Sequence, residues 1–328
     1  MVWLKLAICI LVIFFSGQKV AKYGDIISER TGIGQVWMGV IAIALITSLP
    51  ELFTGISAVT LVSAPDLTIG NLIGANAFNL FNLALLDIVH RNGSIMASAS
   101  RAHRLTGWFS LALMVLVAVF ILVSTRFSPM SLGWVGWYTP IIILFYLFSV
   151  RQIFSYEKTH VAMKEASPYP VEMSLKKVYI YFGISAALII GAGIWLATIG
   201  DEITQVTGWG QSFVGSLFLA FTTTLPEITV SFTAMRIGAI DMAVANLIGS
   251  NLFNLTIIPV IDLIYTRGPI LAQVSESHLF TAAAVILMSL LFLAGFRFKT
   301  RRFFRLSWFN VSLIVLFLVS AYMSFVMA

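Results

Sequence analysis

The chain has 328 residues, 59% of them hydrophobic and only 10% charged, with 20 Lys and Arg against 14 Asp and Glu. A mean hydropathy of +0.96 excludes an ordinary soluble domain. The net charge of +6 would suit nucleic acid only as a basic face on such a domain, and here the charges are strung between long apolar runs.

Those runs come close to the roughly 20 residues that a spanning helix needs. In chain order they cover residues 2–23, 33–62, 67–88, 105–125, 132–150, 178–199, 209–235, 240–264, 279–296 and 307–327, which predicts an all-α membrane protein of ten transmembrane helices. The first run, with Lys5 near its start, has the outline of a signal peptide. It carries little positive charge and aligns with the sixth run, so a retained span is expected. Cys9, within it, is the only cysteine, and no intramolecular disulfide can form.

The second run contains TSLPE at 47–51. Pro50 has no N–H to give to Ile46 and its ring crowds that carbonyl, so the span is expected to break mid-membrane into two half-helices. The third run contains NLIGANAFNL at 71–80, in which Asn71, Ala75 and Asn79 share one helix face. After the fifth run comes the one long polar linker, 151–177, too short for a folded domain. The seventh run contains TTLPE at 223–227, with its own break at Pro226, and the eighth contains NLIGSNLFNL at 246–255, with Asn246, Ser250 and Asn254 in the matching places.

The chain is therefore a duplication. Residues 21–87 recur at 197–262, at an offset of 176 that slips to 175. Each copy holds five spans, an odd number, so the second must enter the membrane from the opposite side. Two inverted five-helix repeats are expected, 1–150 and 178–328, joined by 151–177. Charge placement agrees, since 17 of the 20 Lys and Arg fall on odd-numbered connections, leaving Arg126 and Arg267 on even ones and Lys5 at the N-terminal edge. That asymmetry makes the linker cytoplasmic and puts both termini outside, in a multi-pass protein of the cell membrane.

Glu51 and Glu227 follow the two prolines, at the second position of each new half-helix. A helix N-terminus favours a carboxylate by about 0.3–1 kcal/mol. Burial at the bilayer centre costs about 2.5–3.5 kcal/mol, so the dipole alone does not offset it. Two such groups close together also repel. A divalent cation between them resolves both problems. Carbonyls around Ala44–Thr47 and Ala220–Thr223, expected to lack intrahelical partners, would be further donors. The Asn faces add hard neutral oxygens suited to Na⁺ or Ca²⁺. Gly70 with Gly74, and Ala245 with Gly249, give the small-residue spacing of closely packed helices. His90, His103, His160 and His278 fall at connections or span edges, and interfacial positions are expected. Asp87 and Asp262 lie eight residues past the central Asn, where the dipole disfavours an anion; an interfacial helix end or a gate is expected.

These duplicated motifs resemble the α-repeats of the sodium/calcium exchanger family, within the calcium:cation antiporter superfamily, over both halves of the chain and in a minimal prokaryotic-type ten-span layout. The resemblance implies exchange of cytoplasmic Ca²⁺ for a monovalent cation, Na⁺ in the usual case, by alternating access. Spans one and six would slide as a unit against the core of spans two, three, seven and eight. Glu51 and Glu227 look like the central acidic ligands, Thr47, Ser48, Thr223 and Thr224 like the hydroxyl ligands, and Ala44 and Ala220 like backbone-carbonyl ligands. Ser250 matches a flanking sodium ligand and Asn79 the central Asn of the first repeat. Three positions depart from the pattern: Asn254 replaces the usual Asp, Ala75 the usual Ser, and Thr224 the usual Ser. With two formal charges in the site, exchange of one Ca²⁺ for two Na⁺ or two H⁺ would be electroneutral. The transported ions are the substrates; no cofactor, nucleic acid or enzymatic activity is expected, and the protein is expected to work as a monomer in the bilayer.

Three rivals remain open. One is an antiporter coupled to H⁺ or carrying another divalent cation such as Mg²⁺ or Mn²⁺, and another is a channel. The third is an intramembrane aspartyl protease, suggested by Tyr23-Gly24-Asp25 and Ile199-Gly200-Asp201. Its dyad would need both Asp residues at one depth, whereas inversion sends them to opposite faces.

Overall fold

The computed structural model describes residues 2–32, 35–90, 93–100, 102–127, 131–160, 173–207, 217, 219–296 and 307–326. Apolar sequence of spanning length becomes helix because an unpaired peptide group is costly away from water. Eight helices among the described residues are long and apolar enough to cross a membrane, and Trp308–Ser324 is apolar but shorter. The expected seventh span, 209–235, lies partly outside the described residues.

The first helix, α1 (Val2–Thr31), continues eight residues past its expected end at residue 23 and stops where Gly32 turns to φ +71°. The broken second span comprises a π-helical stretch, Met38–Ile43, then α2 (Ala44–Thr47) and α3 (Leu49–Ser57). After it come α4 (Pro65–Val89), a short α5 (Ile95–Ser98) and α6 (Ala102–Arg126). A hairpin of β1 (Ser131–Leu132) and β2 (Val135–Gly136) precedes α7 (Tyr138–His160). The expected fifth span, 132–150, therefore starts six residues late, and residues 151–160, expected in the linker, prolong the helix. The second half runs through α8 (Leu175–Thr207), α9 (Ala220–Thr223) and α10 (Leu225–Arg236) to α11 (Ile240–Ile264), α12 (His278–Gly295) and α13 (Trp308–Val326).

At the centre stand α4 and α11, each of 25 residues and the most buried of the spanning helices. They are clamped reciprocally: Asn76 Nδ2 donates to the Asn251 carbonyl at 3.1 Å, and Asn251 Nδ2 to the Asn76 carbonyl at 3.3 Å. Glycine permits a second close approach. A Cβ on Gly249 would stand 2.6 Å from Val40 Cα, so α11 touches the backbone of the π-helical stretch directly.

Other contacts between the halves also come in pairs. His278 and Asp66 lie 2.9 Å apart, and His103 and Asp241 3.0 Å. The same carboxylates accept from the Ser275 and Ser100 N–H groups at 2.7 and 2.6 Å. His103 and His278, expected at the interface, are thus buried in the first turns of α6 and α12, where a carboxylate from the other half meets the Nε2 of each ring.

Asp87 and Asp262 are likewise fully buried rather than interfacial. Asp262 accepts from Gly136 N, Tyr138 Oη, Thr139 Oγ1 and Ile270 N at 2.6–2.9 Å. This grip holds the β-hairpin and delays the start of α7. Asp87 accepts from Ser94 Oγ, Ile95 N and Asn310 Nδ2. Three donors at Asp87 and four at Asp262 outweigh an unfavourable helix dipole, which is worth about 1 kcal/mol at most at an exposed end. Asp262→Ala should strand its donors and cost about 3–5 kcal/mol, read as a lower melting temperature in detergent.

The helices α1 and α8 form an antiparallel pair tied at both ends. Lys5 Nζ meets Glu202 Oε1 at 2.8 Å, Arg30 donates to the Met173 carbonyl at 2.7 Å, and Tyr23 stacks on Tyr181. Because Glu202 sits beside Lys5, position 201 and Asp25 are separated by nearly the length of α1 between residues 5 and 25, about 30 Å. An aspartyl dyad is therefore impossible in this arrangement.

Outside the spans, Arg126 holds the Glu276 carboxyl below its usual range through two hydrogen bonds, at 2.9 and 2.8 Å. Its small contribution is present at neutral pH and fades as acid protonates Glu276.

Candidate cation site

Each broken span is interrupted by a single residue. Ser48 (φ −94°, ψ 5°) and Thr224 (φ −82°, ψ 1°) leave helical geometry, and a new helix begins at the residue before the proline. Glu51 and Glu227 are consequently the third residues of α3 and α10, not the second. The break is also shorter than the proline alone implies. Ser48 N still reaches the Ala44 carbonyl at 3.0 Å, and Thr224 N the Ala220 carbonyl at 3.1 Å. Ala44 and Ala220, expected to present unpaired carbonyls, therefore have intrahelical partners. The ladder resumes at Leu52 N to Ser48 O and Ile228 N to Thr224 O. In the first copy this leaves the Leu45, Ile46 and Thr47 carbonyls without a backbone donor among the described residues.

Both carboxylates are fully buried, and each lies within electrostatic reach of the other. Ser48, at the N-cap of α3, does not cap that helix; its hydroxyl donates across the halves to Glu227 Oε1 at 3.0 Å. Ser250 Oγ donates to the same oxygen at 3.3 Å. Glu227 Oε2 and both carboxylate oxygens of Glu51 have no hydrogen-bond partner among the described residues.

This asymmetry follows from the sequence. The counterpart of Ser250 is Ala75, which has no hydroxyl, and the counterpart of Ser48 is Thr224, whose hydroxyl turns back to the Ala220 and Phe221 carbonyls at 2.9 and 3.2 Å. A buried carboxylate with no donor is costly unless it is neutralised or paired with a cation.

Around this pair the Asn residues divide into two sorts. Asn246 and Asn71 hold threonines of the opposite half, with Thr47 Oγ1 donating to Asn246 Oδ1 at 3.3 Å and Thr223 Oγ1 to Asn71 Oδ1 at 3.2 Å. Asn246 is fixed in turn by its Nδ2, which donates to Ser231 Oγ at 3.0 Å and to the Glu227 carbonyl at 3.3 Å. Asn254 Nδ2 donates to Asn76 Oδ1 at 3.1 Å and leaves its own Oδ1 unpartnered, while Asn79 has neither side-chain atom engaged among the described residues.

Thr47, Ser48, Ser250 and Glu227 thus form one hydrogen-bonded cluster with Asn246, while Thr223 and Asn71 form a separate pair. Thr224 is turned away from it. Asn76, Asn251 and Ser231, which complete these networks, were not evident from spacing. Asn76 and Asn251 lie inside the repeated motifs but off the stripe of positions 71, 75 and 79, and Ser231 has only Gly55 as its counterpart.

Residues 1–154 and 177–326 match the family described as sodium/calcium exchanger protein. The inner membrane protein YrbG of Escherichia coli (strain K12) is 23% identical over 268 residues, covering 81% of this chain and 80% of that one. The putative antiporter CaxA of Alkalimonas amylolytica is 21% identical over 287 residues, covering 86% and 87%. Among solved structures, the sodium-calcium exchanger NCX_Mj superposes with a TM-score of 0.71 at 19% identity, covering 97% of this chain and 98% of that one. At that identity the likeness concerns the fold.

Proposed function

This chain belongs to the sodium/calcium exchanger protein family, an integral membrane transporter rather than an enzyme, and from that premise we propose that it exchanges Ca²⁺ for Na⁺ by alternating access, with Ca²⁺ held between Glu51 and Glu227 at mid-membrane. One observation carries the reading. Two fully buried carboxylates follow the breaks of opposite halves, Ser48 of the first break reaches Glu227 of the second, and three of the four carboxylate oxygens lack a donor among the described residues. A divalent cation supplies the missing partner for both. Thr47, Ser48, Thr223 and Ser250 bring hydroxyls, and Asn79 and Asn254 bring amide oxygens; the Ala44 and Ala220 carbonyls already accept from Ser48 N and Thr47 Oγ1 and from Thr224 N and Oγ1, and join only where those donors turn away.

Ten spans in two inverted five-helix repeats, 1–150 and 178–328, complete the reading. The paired contacts of Asp66, Asp241, Asn76 and Asn251 support it, because each contact has a counterpart with the halves exchanged. Positive charge on the odd-numbered connections supports a cytoplasmic linker at 151–177 with both termini outside, and the relative named an inner membrane protein supports the cell membrane. The tied pair α1 and α8 is the body that slides, and the protein acts as a monomer.

A second reading has support of its own. Asn254 and Ala75 thin out the monovalent ligands, and the bare Glu51 carboxylate is suited to carry a proton, so H⁺ could replace Na⁺.

Reconstituted vesicles separate the two. An outward-directed Na⁺ gradient at constant pH should drive ⁴⁵Ca²⁺ uptake, whereas uptake driven by a pH gradient alone would favour H⁺. With two charges in the site, imposed membrane potential should leave the rate unchanged; potential-dependent uptake would contradict electroneutral exchange.

A further inference from the structure

Among the buried places where α4 departs from its counterpart α11, two on one face stand nearest the site. Ala75 stands where α11 has Ser250, and Asn82 stands where α11 has Ile257. Asn82 is 1% exposed, and neither its Nδ2 nor its Oδ1 meets a partner among the described residues. Burying an amide without a partner costs stability that an apolar side chain would not. The equally buried Ile257 shows that the architecture accepts an apolar residue at the corresponding place. Packing therefore gives no reason for Asn82.

The surroundings suggest a ligand. Asn82 lies three residues after Asn79, one turn along the same side of the helix, where side chains of such a pair can meet. Asn79 is also fully buried with both side-chain atoms unpartnered among the described residues. The adjoining strip of α4 carries Phe78 and Phe81, both packed on Phe317 with centroids 4.6 and 4.5 Å apart. One turn beyond, Asp87 is already occupied by Ser94, Ile95 and Asn310.

We infer that Asn82 marks a second cation station, one turn beyond the two-carboxylate site towards the Asp87 end of α4 and sharing Asn79 with it, and that its occupant is Na⁺. Amide oxygens are hard donors, which excludes soft metals. They are neutral, and because the cost of dehydrating an ion climbs steeply with its charge, they suit a monovalent ion better than Ca²⁺. An amide has no proton to exchange at physiological pH, so the station does not serve H⁺. It restores to α4 a polar oxygen that Ala75 lacks, displaced along the same face. This inference deepens the exchanger reading and rests on it.

The test compares the full chain with Asn82→Ile, which copies Ile257, and with Asn82→Ser. Melting is measured in detergent with and without NaCl, and Na⁺-driven ⁴⁵Ca²⁺ uptake in vesicles. Asn82→Ile should melt no lower than the parent in Na⁺-free buffer, lose most of the Na⁺-dependent rise in melting temperature, and raise half-saturating Na⁺ by about tenfold. Half-saturating Ca²⁺ should move far less, and Asn82→Ser should fall between. Unchanged Na⁺ dependence, an equal shift for both ions, or an Asn82→Ile protein that melts lower or fails to fold would overturn the station. If the intact chain shows no Na⁺-driven uptake, the exchanger reading fails instead, and Na⁺-dependent melting still tests Asn82 separately.

Discussion

Glu51→Gln should abolish Ca²⁺ transport while leaving the protein folded and more stable in ion-free buffer. Glutamine keeps the size of the side chain but removes the charge, so a bound divalent cation loses one of its two formal counter-charges in a buried site. The expected fall in ⁴⁵Ca²⁺ uptake is at least about a hundredfold, the scale of losing one partner of a buried charge pair. The opposite effect on stability follows from the lack of donors: neither Glu51 oxygen has a partner among the described residues, so the charge is a burden without its ion. Melting temperature measured without Ca²⁺ should rise, and its increase on adding Ca²⁺ should largely vanish. Retained uptake, or a variant less stable in both conditions, would show that Glu51 serves the fold.

Glu227 should behave differently, although the sequence presents it as an equal. Its Oε1 already accepts from Ser48 and Ser250, so the group helps join the first broken helix to α11. Glu227→Gln should also stop uptake, by about a hundredfold or more, but its amide oxygen can still accept both hydroxyls and the melting temperature should change little. Glu227→Ala should stop uptake and also destabilise by about 2–4 kcal/mol, because two buried hydroxyls lose their acceptor and a cavity opens. Equal melting of Glu227→Ala and Glu227→Gln would contradict the bridging role. Identical stability responses of Glu51→Gln and Glu227→Gln would contradict the asymmetry itself.

The broad architecture was legible because the strongest physical constraint on a membrane chain, apolar length, is written directly in the residues. Pro50 and Pro226 likewise announced their breaks, since a missing N–H acts locally. The extent of the breaks was not legible: Ser48 N–H still reaches Ala44, a matter of one residue's dihedral angles.

Contacts between distant segments were also hidden. Nothing in the sequence says that Asp262 will hold a hairpin 126 residues earlier, or that His103 will find Asp241. The misplacement of α7 and of the two histidines shares this cause, because both depend on partners supplied by the other half. Asn71 and Asn246 were visible as part of a polar face, but their task of holding threonines needed the crossing geometry. Asn82 lies just beyond the motif NLIGANAFNL, where attention to repeated residues does not reach.

The account depends most on one hard ion sitting between two carboxylates that arrive from different halves of the chain. A structure of the protein with Ca²⁺, located by its anomalous scattering, tests this directly. The account predicts a single strong peak about 2.3–2.6 Å from oxygens of both Glu51 and Glu227. A peak bound to neither residue, or carboxylates that remain too far apart for one ion to touch both, would contradict it.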